Sequence, residues 1–148
     1  MNIVIREFRI SDLDSVINIE NKCFKPEHRY SKSVFLELFR TYPDCFYVAV
    51  IDNLVVGYVI CGYIEDFGHI ISIAVDPDFQ SRGIGKKLLL KTEEILKEKG
   101  VRVVYLEVGV SNYRAINLYL KNGYTPITIL EKYYGDEDAY LMIKKLYV

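Results

Sequence analysis

The sequence has no tryptophan, only two histidines, three cysteines and four prolines among its 148 residues. Two imidazoles, His28 and His69, are too few for a multi-histidine metal centre, and neither sits in a nucleophile motif of the kind a Ser-His-Asp triad requires. No metal site is expected. Cys23, Cys45 and Cys61 are odd in number, widely spaced and without a Cys-x-x-Cys pair, so the sequence offers neither a disulfide framework nor a redox couple and suits a reducing compartment. The strongest apolar runs, Ile70 to Val75 and Val103 to Leu106, fall far short of the ~20 residues that cross a bilayer. The first residues meet a charge at Arg6 before any signal-type apolar segment can form, which predicts a cytoplasmic protein with no membrane partner. Charge of one sign is also lacking. With 19 basic against 20 acidic side chains there is no general field to draw in a nucleic acid, and none is expected as a partner.

What the chain does have is an ordinary globular composition, 51% hydrophobic and 26% charged, with no repeat, low-complexity tract or Gly/Ser/Pro linker. At roughly 150 residues per domain, 1–148 reads as one domain. Asn2 to Phe8 reads as a strand through β-branched Ile3, Val4 and Ile5. Ser11-Asp12-Leu13-Asp14 resembles an N-cap for a helix with Leu13, Val16, Ile17 and Phe24 towards one face, and Ser31 can cap a second helix to about Arg40. Cys45 to Ile51 and Leu54 to Ile64 form a hairpin about Asp52-Asn53, and His69 to Val75 a third strand. Gly83 to Lys99 carries a helical period through Ile84, Leu88, Thr92, Ile95 and Leu96, with Gly100 as its stop. Val101 to Val108 reads as a strand buried on both faces, Asn112 to Lys121 as a last helix, and Tyr124 to Tyr133 and Ala139 to Leu146 as a closing strand pair.

His69 to Val108 is thus a strand–turn–helix–strand unit, whose turn Gln80-Ser81-Arg82-Gly83-Ile84-Gly85 offers backbone N–H groups at a helix start. It is not a Walker loop, and Leu88 occupies the third glycine of a dinucleotide fingerprint. Taken alone it is either an anion site or a plain tight turn. Its surroundings are more specific: Ile73-Ala74-Val75-Asp76-Pro77 before it, then Leu106-Glu107-Val108, Ser111-Asn112 and Ala115-Ile116-Asn117-Leu118-Tyr119. With these segments the chain resembles the GNAT acetyltransferases along nearly its whole length. The resemblance implies an α/β GNAT fold, a mixed sheet of about seven strands with about four helices in the order β-α-α-β-β-β-α-β-α-β-β. It also implies acetyl-CoA as cofactor. Its pyrophosphate would lie on the backbone of Ser81, Arg82, Gly83, Ile84, Gly85 and Lys86, and its pantetheine on the main chain of Ile73 and Val75 and on Asn112. The pattern looks most like N-terminal protein acetyltransferases, RimI-like enzymes of a ribosomal protein and their archaeal relatives. Gly109, where such enzymes commonly carry arginine, and the absence of proline after Tyr134 are departures.

Acetyl transfer to an amine needs a base, an oxyanion partner and an acid for the departing thiolate. Glu107, near the end of an otherwise apolar strand, is either a general base or a local cap bonded to Ser111 or Asn112. Tyr119 is either the acid, as its place in Ala-x-x-Leu-Tyr implies, or a core aromatic. Asn112 either binds pantetheine or caps its helix. By the same resemblance Phe24, Glu27 and Tyr30 in one loop and Tyr133 and Tyr134 in the last hairpin are the two rims that hold the acceptor, although a solvated loop glutamate and two exposed strand aromatics are the plain alternatives. A protein or peptide N-terminus is the favoured acceptor, a small amine or internal lysine the other, and a CoA-binding module without turnover a third reading. Oligomeric state is left open.

Overall fold

The computed structural model of the chain describes residues 2–146. β1 (Val4–Glu7) is the centre of the expected first strand, and α1 (Leu13–Cys23) follows a 3-10 turn at Ile10–Asp12. Ser11 is not the cap. The N-cap position falls on Asp12 of the expected segment, without a side-chain bond into α1; its carboxylate instead accepts the Arg9 N–H at 2.8 Å and the Arg6 guanidinium at 2.8 and 2.9 Å, tying the turn before the helix to β1. The serine reading does hold at α2 (Lys32–Thr41), where Ser31 Oγ accepts the Val34 N–H at 3.3 Å.

β2 (Phe46–Ile51) and β3 (Leu54–Ile64) are joined by Asp52 and Asn53 at φ +50° and +66°, the left-handed pair of a two-residue hairpin turn. β4 (Phe67–Val75) starts two residues before the expected His69. After it come α3 (Ile84–Glu98), β5 (Val103–Gly109), α4 (Tyr113–Lys121), β6 (Thr125–Leu130) and β7 (Ala139–Lys145). The expected element order is therefore borne out. β6, however, stops at Leu130, because Lys132 turns to φ +47°; Tyr133 and Tyr134 lie in the following turn rather than on the strand.

The seven strands form one sheet in the order β1-β2-β3-β4-β5-β7-β6, antiparallel throughout except β4 with β5. One face packs under α3, where Leu88, Leu89 and Leu96 meet Val104, Leu106 and Met142. Each such side chain stabilises the fold by about 1.5–3 kcal/mol. Thr92, the weak member of the α3 pattern, is buried with its hydroxyl donating to the Leu88 carbonyl at 2.9 Å. The other face carries α1 and α2, with Val16, Ile19 and Phe35 against Phe46, Tyr58 and Ile60. This second layer covers β2 to β4 and stops short of β5, so β5 is not buried on both faces: Val104, Leu106 and Val108 are buried, while Val103, Tyr105 and Glu107 are only partly covered.

The feature that creates a site is a parting of strands. β4 and β5 pair only at Phe67 to His69 against Val103 to Tyr105, and then each runs on, to Val75 and Gly109, without the other. A register shift between Ile60 and Cys61 lies beside this point, and bulges of this kind bend and twist a strand. The sheet therefore opens into a wedge at its middle.

Candidate active site

Asp76 N–H donates to the Val56 carbonyl at 2.8 Å, and the alternation of an antiparallel ladder then turns the main chain of Ile73 and Val75 away from β3, into the wedge. The Val75 carbonyl already accepts the Gln80 amide at 3.0 Å and the Cys23 thiol at 3.2 Å. Beyond β4, Ser81 and Gly83 adopt φ +64° and +80°, and α3 begins at Ile84. Nothing lies within 4 Å of where a Cβ on Gly83 would stand, so glycine is required there by its backbone angle and not by crowding within the protein. Gly85 has a different reason: a Cβ would meet Leu118 of α4 at 3.1 Å, so the absence of a side chain there serves close packing between helices. The first bond of α3 runs from Lys87 N–H to the Gly83 carbonyl, leaving the N–H groups of Ile84, Gly85 and Lys86 without helical acceptors. They open on a cavity of about 760 Å³ whose wall also carries Lys22, Arg114 and Lys121. A chain of net charge −1 has gathered cations around one helix start.

On the far side of the wedge a smaller cavity, about 280 Å³, is lined by Glu107 of β5, Phe24, His28 and Tyr30 of the α1–α2 loop, and Tyr134 and Glu137 of the β6–β7 loop. Both cavities share Phe24, Ile73, Asn112 and Tyr119. Tyr119 is 5% exposed and edges onto Tyr124 at 5.8 Å; burial pushes its phenol well above the ordinary value, so it is a proton donor at neutral pH. Asn112 caps α4, its Oδ1 accepting the Ala115 N–H at 3.3 Å, and lines both cavities.

Glu107 is not a local cap. The Ser111 N–H and hydroxyl both go to Glu137, the Asn112 N–H goes to the Gly109 carbonyl, and Glu107 Oε1 instead meets His69 Nε2 at 2.7 Å. Tyr105 stacks on that imidazole at 4.4 Å, nearly parallel, and holds its plane. A carboxylate with its side chain 13% exposed, one oxygen tied to an imidazole and the other facing a cavity, can accept a proton.

The sequence pattern of the acetyltransferase (GNAT) family matches residues 13–124. The chain belongs to that family. It is 40% identical over 156 residues to an N-alpha-acetyltransferase of Sulfurisphaera tokodaii, covering 96% of this chain and 92% of the relative, and 44% identical over 144 residues to an uncharacterised N-acetyltransferase of Methanocaldococcus jannaschii, covering 96% and 91%. The crystal structure of Ard1 from Thermoplasma volcanium superimposes with a TM-score of 0.95 at 30% identity over the full length of both chains.

Within this GNAT chain, Ile73, Val75, Ser81, Gly83, Ile84, Gly85, Lys86 and Asn112 all line the larger cavity, as the sequence reading placed them. Arg82 does not: its guanidinium turns back to the Asp78 carbonyl at 3.3 Å and over the Phe79 ring at 5.1 Å. Of the acceptor residues, Phe24, Tyr30 and Tyr134 line the smaller cavity. Glu27 is exposed on a 3-10 turn outside it, and Tyr133 is 46% exposed against the outer edge of Tyr134. His28, next to Glu27, is the inward residue, stacking on Tyr134 at 4.6 Å and bonding Asp136 at 2.6 Å across the two loops.

Three participants carry no functional expectation from the sequence. His69 reads only as a strand residue, and no spacing links it to Glu107. His28 carries no motif. Glu20, 1% exposed, is bonded by the Tyr58 hydroxyl and the Tyr30 N–H, tying the acceptor loop to β3; only its place on the inner stripe of α1 could have marked it. Glu137 does fall in a segment, Tyr133-Tyr134 followed by Glu137-Asp138-Ala139, that looks like the N-terminal acetyltransferases, but its bonding to Ser111 is not legible there.

Proposed function

We propose that this N-acetyltransferase transfers an acetyl group from acetyl-CoA to the N-terminal α-amine of a protein or peptide, by direct attack with both substrates bound. One observation carries the reading: two cavities, one walled by the turn and start of α3 and the other by Glu107 and the two loops, adjoin at Tyr119 and Asn112, so donor and acceptor can be held together without a covalent enzyme intermediate. The larger cavity fits a CoA molecule, with free N–H groups and cations for its phosphates and an unpaired strand edge for its amides. When bound, acetyl-CoA supplies an activated acetyl thioester.

The chain's own residues then divide the work. Glu107, oriented by His69, accepts the proton of the incoming ammonium. An α-amine, with a reference pKa near 7.7–8.0 against about 10.4 for lysine, costs ~3.5 kcal/mol less to neutralise at pH 7, which suits a carboxylate base. Main-chain donors of the β4 edge face the position of the thioester oxygen, and Tyr119 holds the proton that a departing thiolate needs. Phe24, Tyr30 and Tyr134 enclose the peptide terminus. Residues 1–148 act in this reading as one catalytic domain, supported by the single continuous sheet; a cytoplasmic setting is supported by three free cysteines, and no helix among the described residues is long and apolar enough to cross a membrane.

The test is a panel of peptides with free and blocked N-termini, incubated with acetyl-CoA and read by fragment mass spectrometry. Acetyl groups on the α-amine of free peptides alone are expected. Transfer only to lysine side chains, or only to small amines, would overturn the reading.

A further inference from the structure

Gly109 has a structural consequence at the acceptor cavity. A Cβ at this position would stand 3.1 Å from Glu137 Oε2 and 3.2 Å from both Cδ and Oε1, so the Glu137 carboxylate lies flat against the bare Cα of residue 109. Any side chain there would push it away. The carboxylate is anchored at one end only: Oε1 takes the Ser111 N–H at 2.8 Å and the Ser111 hydroxyl, while Oε2 has no hydrogen-bond donor among the described residues. The Ser111 hydroxyl holds the acid below the usual glutamate range, with smaller help from Lys25 and His28, so it is ionised at neutral pH. Lys25 and His28 are themselves engaged with Asp136, at 3.5 and 2.6 Å.

The other acids of the cavity are differently employed. Glu20 has both oxygens bonded, by Tyr58 and Ser72 on one and Tyr30 on the other, and Glu107 is the base. Glu137 lies beside Gly109, two residues beyond Glu107 along β5, or about 7 Å at the rise of an extended strand. An acceptor entering as an extended chain with its amine at Glu107 has its second and third residues at that depth.

We propose that Glu137 is a specificity-determining residue that selects acceptors carrying a cationic side chain at their second or third residue. This rests on the N-terminal acetyltransferase reading above. The protein then acts on basic N-termini, such as those of proteins that bind polyanions, in preference to acidic ones. An oxygen fixed by its twin and open to a cavity loses little on meeting a guanidinium, and an acidic side chain at the same place meets repulsion.

The experiment measures kcat/KM for α-acetylation of three peptides that share the first residue giving turnover and differ at residues two and three: Arg, Leu or Glu. Arginine is used because its side chain is not itself an acetyl acceptor. At least a tenfold preference for Arg over Glu is expected, falling when salt shortens the Debye length from about 10 Å to about 3 Å. In Glu137→Gln, which can still accept from Ser111, the ratio should fall to within about threefold, and Gly109→Ala, which displaces the carboxylate, should lower it part of the way. Equal rates for the three peptides in the parent protein, or an unchanged ratio in folded Glu137→Gln, would overturn the assignment. Absence of α-acetylation on any peptide would instead overturn the underlying reading.

Discussion

The two halves of the wedge are built in opposite ways. The donor side is built around main chain, a strand edge, a left-handed turn and a helix start within Ile73 to Lys86, with side chains of α1 and of the α4 region such as Lys22, Asn112 and Arg114 closing it. The acceptor side is mostly side chain, assembled from α1, the α1–α2 loop, β4, β5 and the β6–β7 loop. A surface of backbone donors depends on conformation and tolerates many side chains, whereas a surface of side chains depends on each identity. The donor half can therefore recognise the same ligand throughout a family while the acceptor half diverges, and substitutions in the two halves should fail in different measurements.

The largest effect is expected where the halves meet the chemistry. Glu107→Gln keeps the shape of the side chain and removes the base, so the rate of the chemical step should fall by ~10²–10⁴ in single-turnover experiments, with the deficit shrinking as pH rises and free amine accumulates. Parent-like turnover across the pH range would make Glu107 a structural residue and leave the wedge without a base. Next, Tyr119→Phe removes one hydroxyl and almost no volume. Transfer from acetyl-CoA should slow by about 10–1000-fold while thermal stability barely moves, and a thioester with a more acidic thiol should recover much of the loss.

Gly83→Val probes the donor half alone. The space beside Gly83 is empty of protein, so the variant meets strain of about 1–2 kcal/mol at φ +80° and crowds whatever the turn binds. Acetyl-CoA affinity by calorimetry should drop tenfold or more; an unchanged affinity in a folded variant would remove the turn from the site. The smallest effect concerns Glu20, whose carboxyl is pushed up chiefly by burial against its hydrogen bonds. An acid with a raised folded pKa binds more protons folded than unfolded, so stability falls as pH rises from the ordinary glutamate value through the raised one. Unfolding followed against pH should show this slope in the parent and not in Glu20→Gln. An identical pH profile for both would mean that Glu20 ionises freely in the fold.

The contrast between the halves also explains what the sequence disclosed. Gln80 to Gly85 reports on itself, because a left-handed turn before a helix demands glycine locally. The course of its backbone was legible; the direction of the Arg82 side chain and the arrival of Lys22 and Arg114 from other helices were not. The acceptor wall depends on meetings between residues far apart in the chain. The strand–turn–helix–strand unit makes β4 and β5 parallel, but nothing in the sequence sets the register that brings His69 to Glu107. Tyr133 and Tyr134 read as a pair, yet the end of β6 at Leu130 lets the turn set Tyr134 into the cavity wall and leave Tyr133 half-exposed at its rim, within electrostatic reach of Glu107 and Tyr30. The same limit holds at the start of α1: the segment Ser11 to Asp14 marks an N-cap, and the structure puts it at Asp12, whose carboxylate is drawn instead to Arg6 arriving from β1.

The parting of β4 and β5 leaves a strand border without a partner strand inside the molecule rather than at its rim. Exposed borders of this kind normally invite pairing with other chains, and proteins spend charge, proline or cover to prevent it. Here the invitation is to a small molecule. A ligand that bonds the Ile73 and Val75 main chain acts as a missing strand, so those amides should exchange hydrogen quickly in the free protein and slowly in the bound one. The same occupancy adds about 2.7 kcal/mol to global stability when the ligand is present at a hundred times its dissociation constant. The metabolic supply of the donor would then set how long the enzyme survives as well as how fast it works.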